Sequence, residues 1–230
     1  MDNVDETLIC QRIFELIQSI YKLHSDFSTE FSLQKELEHC NLKKKQIRHV
    51  TVVEEAGLFT ITKSFYKLLS SYSDHLKKLI VEIDLEVDFT DLDLRIREKM
   101  PDSVVNKLKY YRVGKREVGQ IDLIKCLNDL LGFRITLDLF DHNSEAYKDL
   151  CDKVNEIYAK RIAIRDSSKA EYRAIHIYFY GESNRYFPWE LQIWRSDQAH
   201  TNDKSHKVHK QAYTKWAEIY KNSSELSELN

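Results

Sequence analysis

The chain holds only five glycines and two prolines among its 230 residues. These residues punctuate turns, so their scarcity calls for short connections and long helices. It also excludes a glycine-rich phosphate loop, because neither GxGxxG nor GxxxxGKS can be assembled from five scattered glycines. With 42% hydrophobic and 11% aromatic residues, the chain can bury a sizeable core without disulfide or metal staples. Lys and Arg total 35 and Asp and Glu 37, a net charge of −2. That excludes a polybasic protein but leaves room for local basic patches. No run approaches the ~18 apolar residues that span a bilayer. The opening, Met1-Asp2-Asn3-Val4-Asp5-Glu6, is too acidic for a signal peptide. Cys10, Cys40, Cys126 and Cys151 share no CxxC and read as buried free thiols in a reducing compartment. A cytoplasmic location and no membrane partner are therefore expected.

The hydropathy pattern divides the chain into a helical N-terminal region over 1–90, a mixed α/β domain over 91–222 and a polar tail over 223–230. Leu8, Ile9, Ile13, Phe14, Leu16, Ile17, Ile20 and Tyr21 recur at helical spacing. A second amphipathic run spans Glu54 to Val81, with Phe65, Leu68, Leu69, Tyr72, Leu76 and Ile80 on one side. Between these runs lie Lys43, Lys44, Lys45 and Arg48. Further on, Leu131 to Asp138 reads as a buried strand, Asn143 to Tyr158 as a helix and Arg161 to Arg165 as a short strand. Tyr172 to Tyr180 and Arg185 to Trp194 are β-rich runs joined by Gly181-Glu182-Ser183-Asn184, a hairpin signal. Asn202 to Asn222 is again helical. The fold class is α+β, a mixed sheet of about five strands flanked by helices and preceded by a helical region.

Four groups of residues could carry chemistry. Pro101-Asp102-Ser103 before an apolar run is a helix start. Ser103 and Lys107, four apart, share a helix face, with Arg97 and Lys99 just before. A helix N-terminus so furnished suits phosphate; a solvated helix with a capping Asp or Ser is the plain alternative. Asp129 stands at the mouth of a strand with Arg134 five positions on. It is a turn residue or a hard oxygen ligand suited to Mg²⁺. Glu190, Gln192 and Trp194 alternate along a strand, so a carboxylate and an amide share one face. They form a satisfied polar patch or face a cleft. Tyr172, Ala174 and His176 share a face likewise, and Tyr172 could stack on a base or simply pack. His206 and His209, three apart, lack the companions that a zinc site needs.

The order RxKxxxSxxxKL, DxxGxR, YRxxH, ExQ, running from Leu92 to Tyr213 over about half the chain, resembles the synthetase domain of the RelA/SpoT family. The resemblance implies a nucleotidyltransferase-like fold and the transfer of pyrophosphate from ATP to a ribose hydroxyl, with release of AMP. By position, Arg97 and Arg134 match the arginines that sandwich the adenine, and guanidinium planes stack well on purines. Lys99, Ser103 and Lys107 match the residues that hold the ATP phosphates. Asp129 and Glu190 match the Mg²⁺ ligands, with Glu190 also activating the attacking hydroxyl and Gln192 beside it. Tyr172 matches the tyrosine that stacks on the acceptor base. His176 matches a histidine near the transferred phosphates, and Arg173 lies with them on the acceptor side. The hydrolase motif of larger family members is missing, which implies a small, single-function synthetase that does not hydrolyse alarmones.

The departures fall on the acceptor side. The family's GYRSxH is here Glu171-Tyr172-Arg173-Ala174-Ile175-His176, and EIQIR is Glu190-Leu191-Gln192-Ile193-Trp194. The downstream FWxxxEH becomes Asn202-Asp203-Lys204-Ser205-His206. Glu171 would repel a guanosine di- or triphosphate unless a cation pairs with it. The pattern is similar to that of the toxic small alarmone synthetases of toxin–antitoxin pairs. It implies transfer to the 3′ CCA end of tRNA, blocked aminoacylation and translation, and a cognate antitoxin protein, with no role for DNA. Lys43, Lys44, Lys45 and Arg48, and Lys204, Lys207 and Lys210, would track the tRNA backbone, or else are solvated helix faces. Tyr172 with Trp194 would stack on the RNA end. The alternatives are (p)ppGpp synthesis from GDP or GTP, an adenosine alarmone, or a non-catalytic nucleotide-binding relative.

Overall fold

A computed structural model describes residues 3–33, 40–54, 58–114, 118–138, 140–169 and 171–205. Helix α1 (Asn3–Leu33) is followed by a two-stranded antiparallel hairpin, β1 (Thr51–Val53) and β2 (Phe59–Ile61). Next come α2 (Lys63–Glu82) and the single turn α3 (Leu85–Asp88). The domain continues with β3 (Arg95–Glu98), α4 (Pro101–Lys109), a π-helical turn over Tyr110–Gly114 and α5 (Leu123–Cys126). It ends with β4 (Leu131–Leu137), α6 (Glu145–Tyr158), β5 (Ile162–Asp166), β6 (Ile175–Phe179) and β7 (Trp189–Arg195), then a helical stretch over 196–205.

The five longer-range strands form the expected mixed sheet in the order β3-β4-β7-β6-β5. Only β4 and β7 run parallel; every other pair is antiparallel. The β6–β7 hairpin is present, but its strands start later than their sequence runs. Pro188, which lacks an N–H to pair, comes just before β7. Gly181 in the connection has φ +65°, and a Cβ there would lie 2.8 Å from His24 Cε1. Glycine meets both demands.

Two expectations are corrected in the N-terminal region. It is not helical throughout, because β1 and β2 interrupt it, and the second helix starts at Lys63 rather than Glu54. Thr51, Val52, Val53, Phe59 and Ile61 are β-formers, whereas the helical periodicity begins at Phe65. The lysine run is a turn rather than a helix face. Asn41 Oδ1 accepts from the backbone N–H groups of Lys43 and Lys44 at 3.1 and 3.0 Å, an Asx-type turn. Lys207 and Lys210, most of the expected 202–222 helix and the polar tail lie outside the described residues. No helix among the described residues is long and apolar enough to cross a membrane. Cys10, Cys40 and Cys126 are buried free thiols, and Cys151 is half-buried.

The core is continuous from α1 to the sheet. Phe27 and Phe31 of α1 meet Tyr72 of α2 edge-on, with ring centres 5.3 and 5.1 Å apart. Phe27 also lies 5.6 Å from Trp189, whose Nε1–H donates to the Tyr72 hydroxyl at 2.8 Å. The N-terminal helix thus packs behind the first residue of β7.

Candidate active site

Strand alternation sorts the sheet into an apolar and a polar face. Ile96, Phe133, Ile135, Leu191, Ile193, Ile175 and Ile177 lie across from one another on the core side. The opposite face is set by the same registers. Arg97 pairs with Gly132, Gly132 with Glu190, and Arg134 with Gln192. Gln192 pairs with His176, Glu190 with Tyr178, and His176 with Arg165. Residues that are 93 positions apart in sequence therefore meet on one surface.

At one end of this surface, Asp129 lies between two ammonium groups. Lys99 Nζ is 2.5 Å from Oδ2 and Lys107 Nζ 3.1 Å from Oδ1. Lys99 extends the β3–β4 pairing, its N–H donating to Leu130 O at 2.9 Å. Lys107 comes from α4, one turn beyond half-buried Ser103. Met100, not Asp102 or Ser103, is the N-cap of α4, with Pro101 at the first helical position. Burial alone would raise the Asp129 carboxyl, but Lys107 and Lys99 outweigh it and hold its pKa at about 2. Burial lowers Lys99, against the pull of Asp129; for Lys107 the carboxylate outweighs burial and the pKa rises. Glu190 also acts on Lys99, so both carboxylates share one electrostatic site.

Glu190 is 6% exposed, with one protein partner on each carboxylate oxygen. Gln192 Nε2 donates to its Oε2 at 2.7 Å, and His176 Nδ1 lies 2.9 Å from its Oε1. His176 Nε2 is 2.8 Å from the Tyr172 hydroxyl. Its Nδ1 is also 3.1 Å from the Tyr178 hydroxyl.

At the other end, the Arg134 guanidinium lies 3.5 Å from the Trp194 ring centre, with one nitrogen 3.5 Å from Asp203 Oδ1. Burial lowers the Arg134 pKa, partly offset by Asp203. Trp194 is 1% exposed and meets Tyr172 edge-on. This corrects the expectation that Trp194 would stack on an RNA end, since Arg134 already covers it. Arg97 is exposed on the same face as Arg134. Arg134 Nε, Gln192 Oε1 and Trp194 Nε1 are buried polar atoms with no hydrogen-bond partner among the described residues. Such atoms are uncommon in a finished core, and here three of them line one face.

The first of the expected lysine groups lies on a segment outside the five-stranded sheet. Lys43, Lys44 and Arg48 are exposed and Lys45 half-buried, on a segment tied to residues 119–123. The ties are Arg48 N to Gly119 O at 3.0 Å, Ile47 N to Ile121 O at 3.1 Å and Leu123 N to Lys45 O at 2.8 Å. Lys204 is exposed beside Asp203, at the rim of the arginine end.

Sequence reasoning missed three contributors. Tyr178 alternates with His176, so period two could have found it. Arg165 had no signal of its own. Asn202 is fully buried and clamps the backbone of Arg173, accepting from its N–H at 2.9 Å and donating to its carbonyl at 2.7 Å. Only the tertiary structure brings it there. The Arg173 guanidinium itself is exposed and donates to Tyr172 O at 3.0 Å.

Among the described residues no group of three His, Cys, Asp or Glu side chains could cage a metal. The donor set still fits Mg²⁺, which is commonly held by one or two carboxylates together with substrate phosphates. Asp129 and Glu190 supply hard oxygens, each with a lone pair beyond its present hydrogen bond.

No family model matches the sequence, and no curated protein does. Several solved structures are similar. The small alarmone synthetase 1 of Bacillus subtilis, bound to its product pppGpp, is 17% identical, over 73% of this chain and 96% of that one, with a TM-score of 0.36. A GTP pyrophosphokinase family protein from Streptococcus pneumoniae is 17% identical, over 74% of this chain and 94% of that one, also with a TM-score of 0.36. The small alarmone synthetase 2 of Bacillus subtilis is 21% identical, over 59% and 75%, with a TM-score of 0.31.

Proposed function

We propose that this chain is an ATP-dependent pyrophosphate transferase that acts on the 3′ CCA end of tRNA. The observation that carries the transferase reading is the polar sheet face, where Asp129, Lys99 and Lys107 adjoin Glu190, Gln192 and His176. The two lysines and the first turn of α4 would receive the ATP phosphates. Arg97 and the uncovered face of Arg134 would hold the adenine. Glu190 would accept the proton of the acceptor hydroxyl as its oxygen bonds to the β-phosphorus. The bond from that phosphorus to the α,β-bridging oxygen breaks, and AMP leaves with the bridging oxygen. Mg²⁺ held by Asp129 and Glu190 would neutralise charge on the phosphates.

Two features support tRNA as the acceptor. Glu171 is exposed beside Tyr172, where it disfavours a free polyphosphate, and the exposed Lys43, Lys44, Arg48 and Lys204 offer contacts to an RNA backbone. In this reading the protein stops translation, and a cognate antitoxin is its expected partner. One observation favours a second reading, in which GDP or GTP is the acceptor. Arg165 is exposed directly across from His176 and could receive acceptor phosphates.

The test is transfer of label from γ-labelled ATP, with Mg²⁺, to bulk tRNA, GDP, GTP or ATP in separate reactions. Label on tRNA that disappears when the CCA end is trimmed is the expected result. Label on GDP or GTP instead supports the second reading. Glu190→Gln should lower transfer by about 10²–10⁴-fold. Absence of transfer to every acceptor would overturn both readings.

A further inference from the structure

Trp194 stands where the family's EIQIR has arginine, so the resemblance gives it no role. Its place in the sheet does. Arg134 pairs with Gln192 and Thr136 with Trp194, so Arg134 and Trp194 are diagonal neighbours on the polar face. The guanidinium carbon of Arg134 lies 3.5 Å from the centre of the indole ring. Burial and an edge-on contact hold that ring in its plane: Trp194 is 1% exposed and meets the Tyr172 ring at 6.1 Å and 87°. From the rim, Asp203 Oδ1 lies 3.5 Å from a terminal guanidinium nitrogen. Arg134 is thus anchored by a ring beneath and a carboxylate beside it, yet its side chain keeps 28% of its exposure. Arg97 is exposed on the same face and has no such anchor among the described residues.

We propose that Trp194 is a positioning residue for the pyrophosphate donor: it presets the Arg134 guanidinium as a rigid floor on which the adenine of ATP stacks. The inference rests on the reading of Arg134 as an adenine platform. Ordering a long side chain on binding costs affinity. The indole orders Arg134 before ATP arrives, so less affinity is lost. Tryptophan suits this task, because among aromatic rings the indole attracts a guanidinium most strongly. A guanidinium is planar, so one side can rest on the indole while the other stacks on a purine. A leucine here would still fill the core but would leave Arg134 free to swing.

Calorimetry of the full chain with ATP and Mg²⁺, and with tripolyphosphate, tests this. Trp194→Leu should weaken ATP binding about fivefold. Tripolyphosphate, which has the charges but no base, should stay within about twofold. Trp194→Phe keeps a ring and should hold ATP within about twofold of the unmodified protein. In an Arg134→Met background, Trp194→Leu should cost little more, because the indole acts through the arginine. In the transfer assay, KM for ATP should rise by the same factor with kcat unchanged. If Arg134→Met weakens ATP binding and Trp194→Leu does not, this inference alone is overturned. If neither does, the adenine reading of Arg134 falls with it. Equal losses for ATP and tripolyphosphate would mark a merely structural role and overturn the inference too. Should Trp194→Leu not fold, the unmodified protein still decides. Its Arg134 Nε–H, identified in ¹H–¹⁵N spectra by its loss in Arg134→Lys, should be shifted upfield by the indole ring current without nucleotide. A signal at the position of the exposed Arg97 Nε–H, identified by Arg97→Lys, would overturn the inference.

Discussion

Gly132 lies at the centre of the polar face, paired with Arg97 on one side and Glu190 on the other. A Cβ placed there would meet only Arg97 O, at 3.8 Å, which is ordinary contact. The residue is therefore not needed for packing; it leaves open floor between an arginine and the proposed base. Gly132→Val should change stability by no more than about 0.5 kcal/mol, since valine suits a strand. ATP binding should weaken by roughly tenfold, about 1.4 kcal/mol, because the branched side chain fills that floor. Calorimetry of ATP binding beside a thermal melt measures both. Unchanged ATP affinity would move the nucleotide away from this face. At this scale the sequence named most of the polar face: Arg97, Lys99, Ser103, Lys107, Asp129, Arg134, His176, Glu190 and Gln192. It missed that Lys99 and Lys107 converge on Asp129 and that Arg134 lies on Trp194, because such partnerships depend on strand pairing.

The elements differ in how openly the sequence shows them. β4 alternates buried and half-buried residues over its seven positions, and α6 has a regular apolar stripe and an N-cap, Ser144, whose hydroxyl accepts from Tyr147 N at 3.2 Å. Both were legible. β3 was not: Arg-Ile-Arg-Glu holds one apolar residue and pairs on a single side, so its sequence has no periodicity to read. The three-residue strands of the small hairpin are too short for the same reason. α1 was legible as a helix but not in its task. Its Phe27 and Phe31 build the aromatic nest in which Tyr72 accepts the Trp189 hydrogen bond, directly behind Glu190. Tyr72→Phe leaves the buried indole N–H unsatisfied and should destabilise the protein by about 1–3 kcal/mol. Chemical denaturation measures it, and an unchanged midpoint would show that Trp189 finds another acceptor.

At the scale of the whole molecule, one buried group ties stability to pH. His24 of α1 is fully buried, its Nε2 3.0 Å from Phe187 O and its ring edge-on to Trp189. Burial lowers its pKa from 6.5 to about 4, against the smaller opposing effect of the Phe187 carbonyl. The folded state thus binds fewer protons than the unfolded one between these values. The stability this preserves is complete above pH 6.5 and is lost as pH falls towards 4, by about 3 kcal/mol in all. Unfolding followed from pH 7.5 to 4 should show this slope, and His24→Gln should flatten it. A slope that survives the substitution would assign it to other groups.

The sequence by itself determined which parts are helix or long strand, because periodicity is a local property, and it named the chemistry-bearing residue types in their order. It also excluded a glycine-built phosphate site. Only the tertiary structure decided that these residues share one face. Sheet register makes Gly132, Glu190, Gln192 and His176 neighbours, and register follows from how the apolar sides of five strands bury together. The partners of each nitrogen of His176, the cover over Trp194 and the place of α1 behind Glu190 follow from that packing. No stretch of chain holds that information alone.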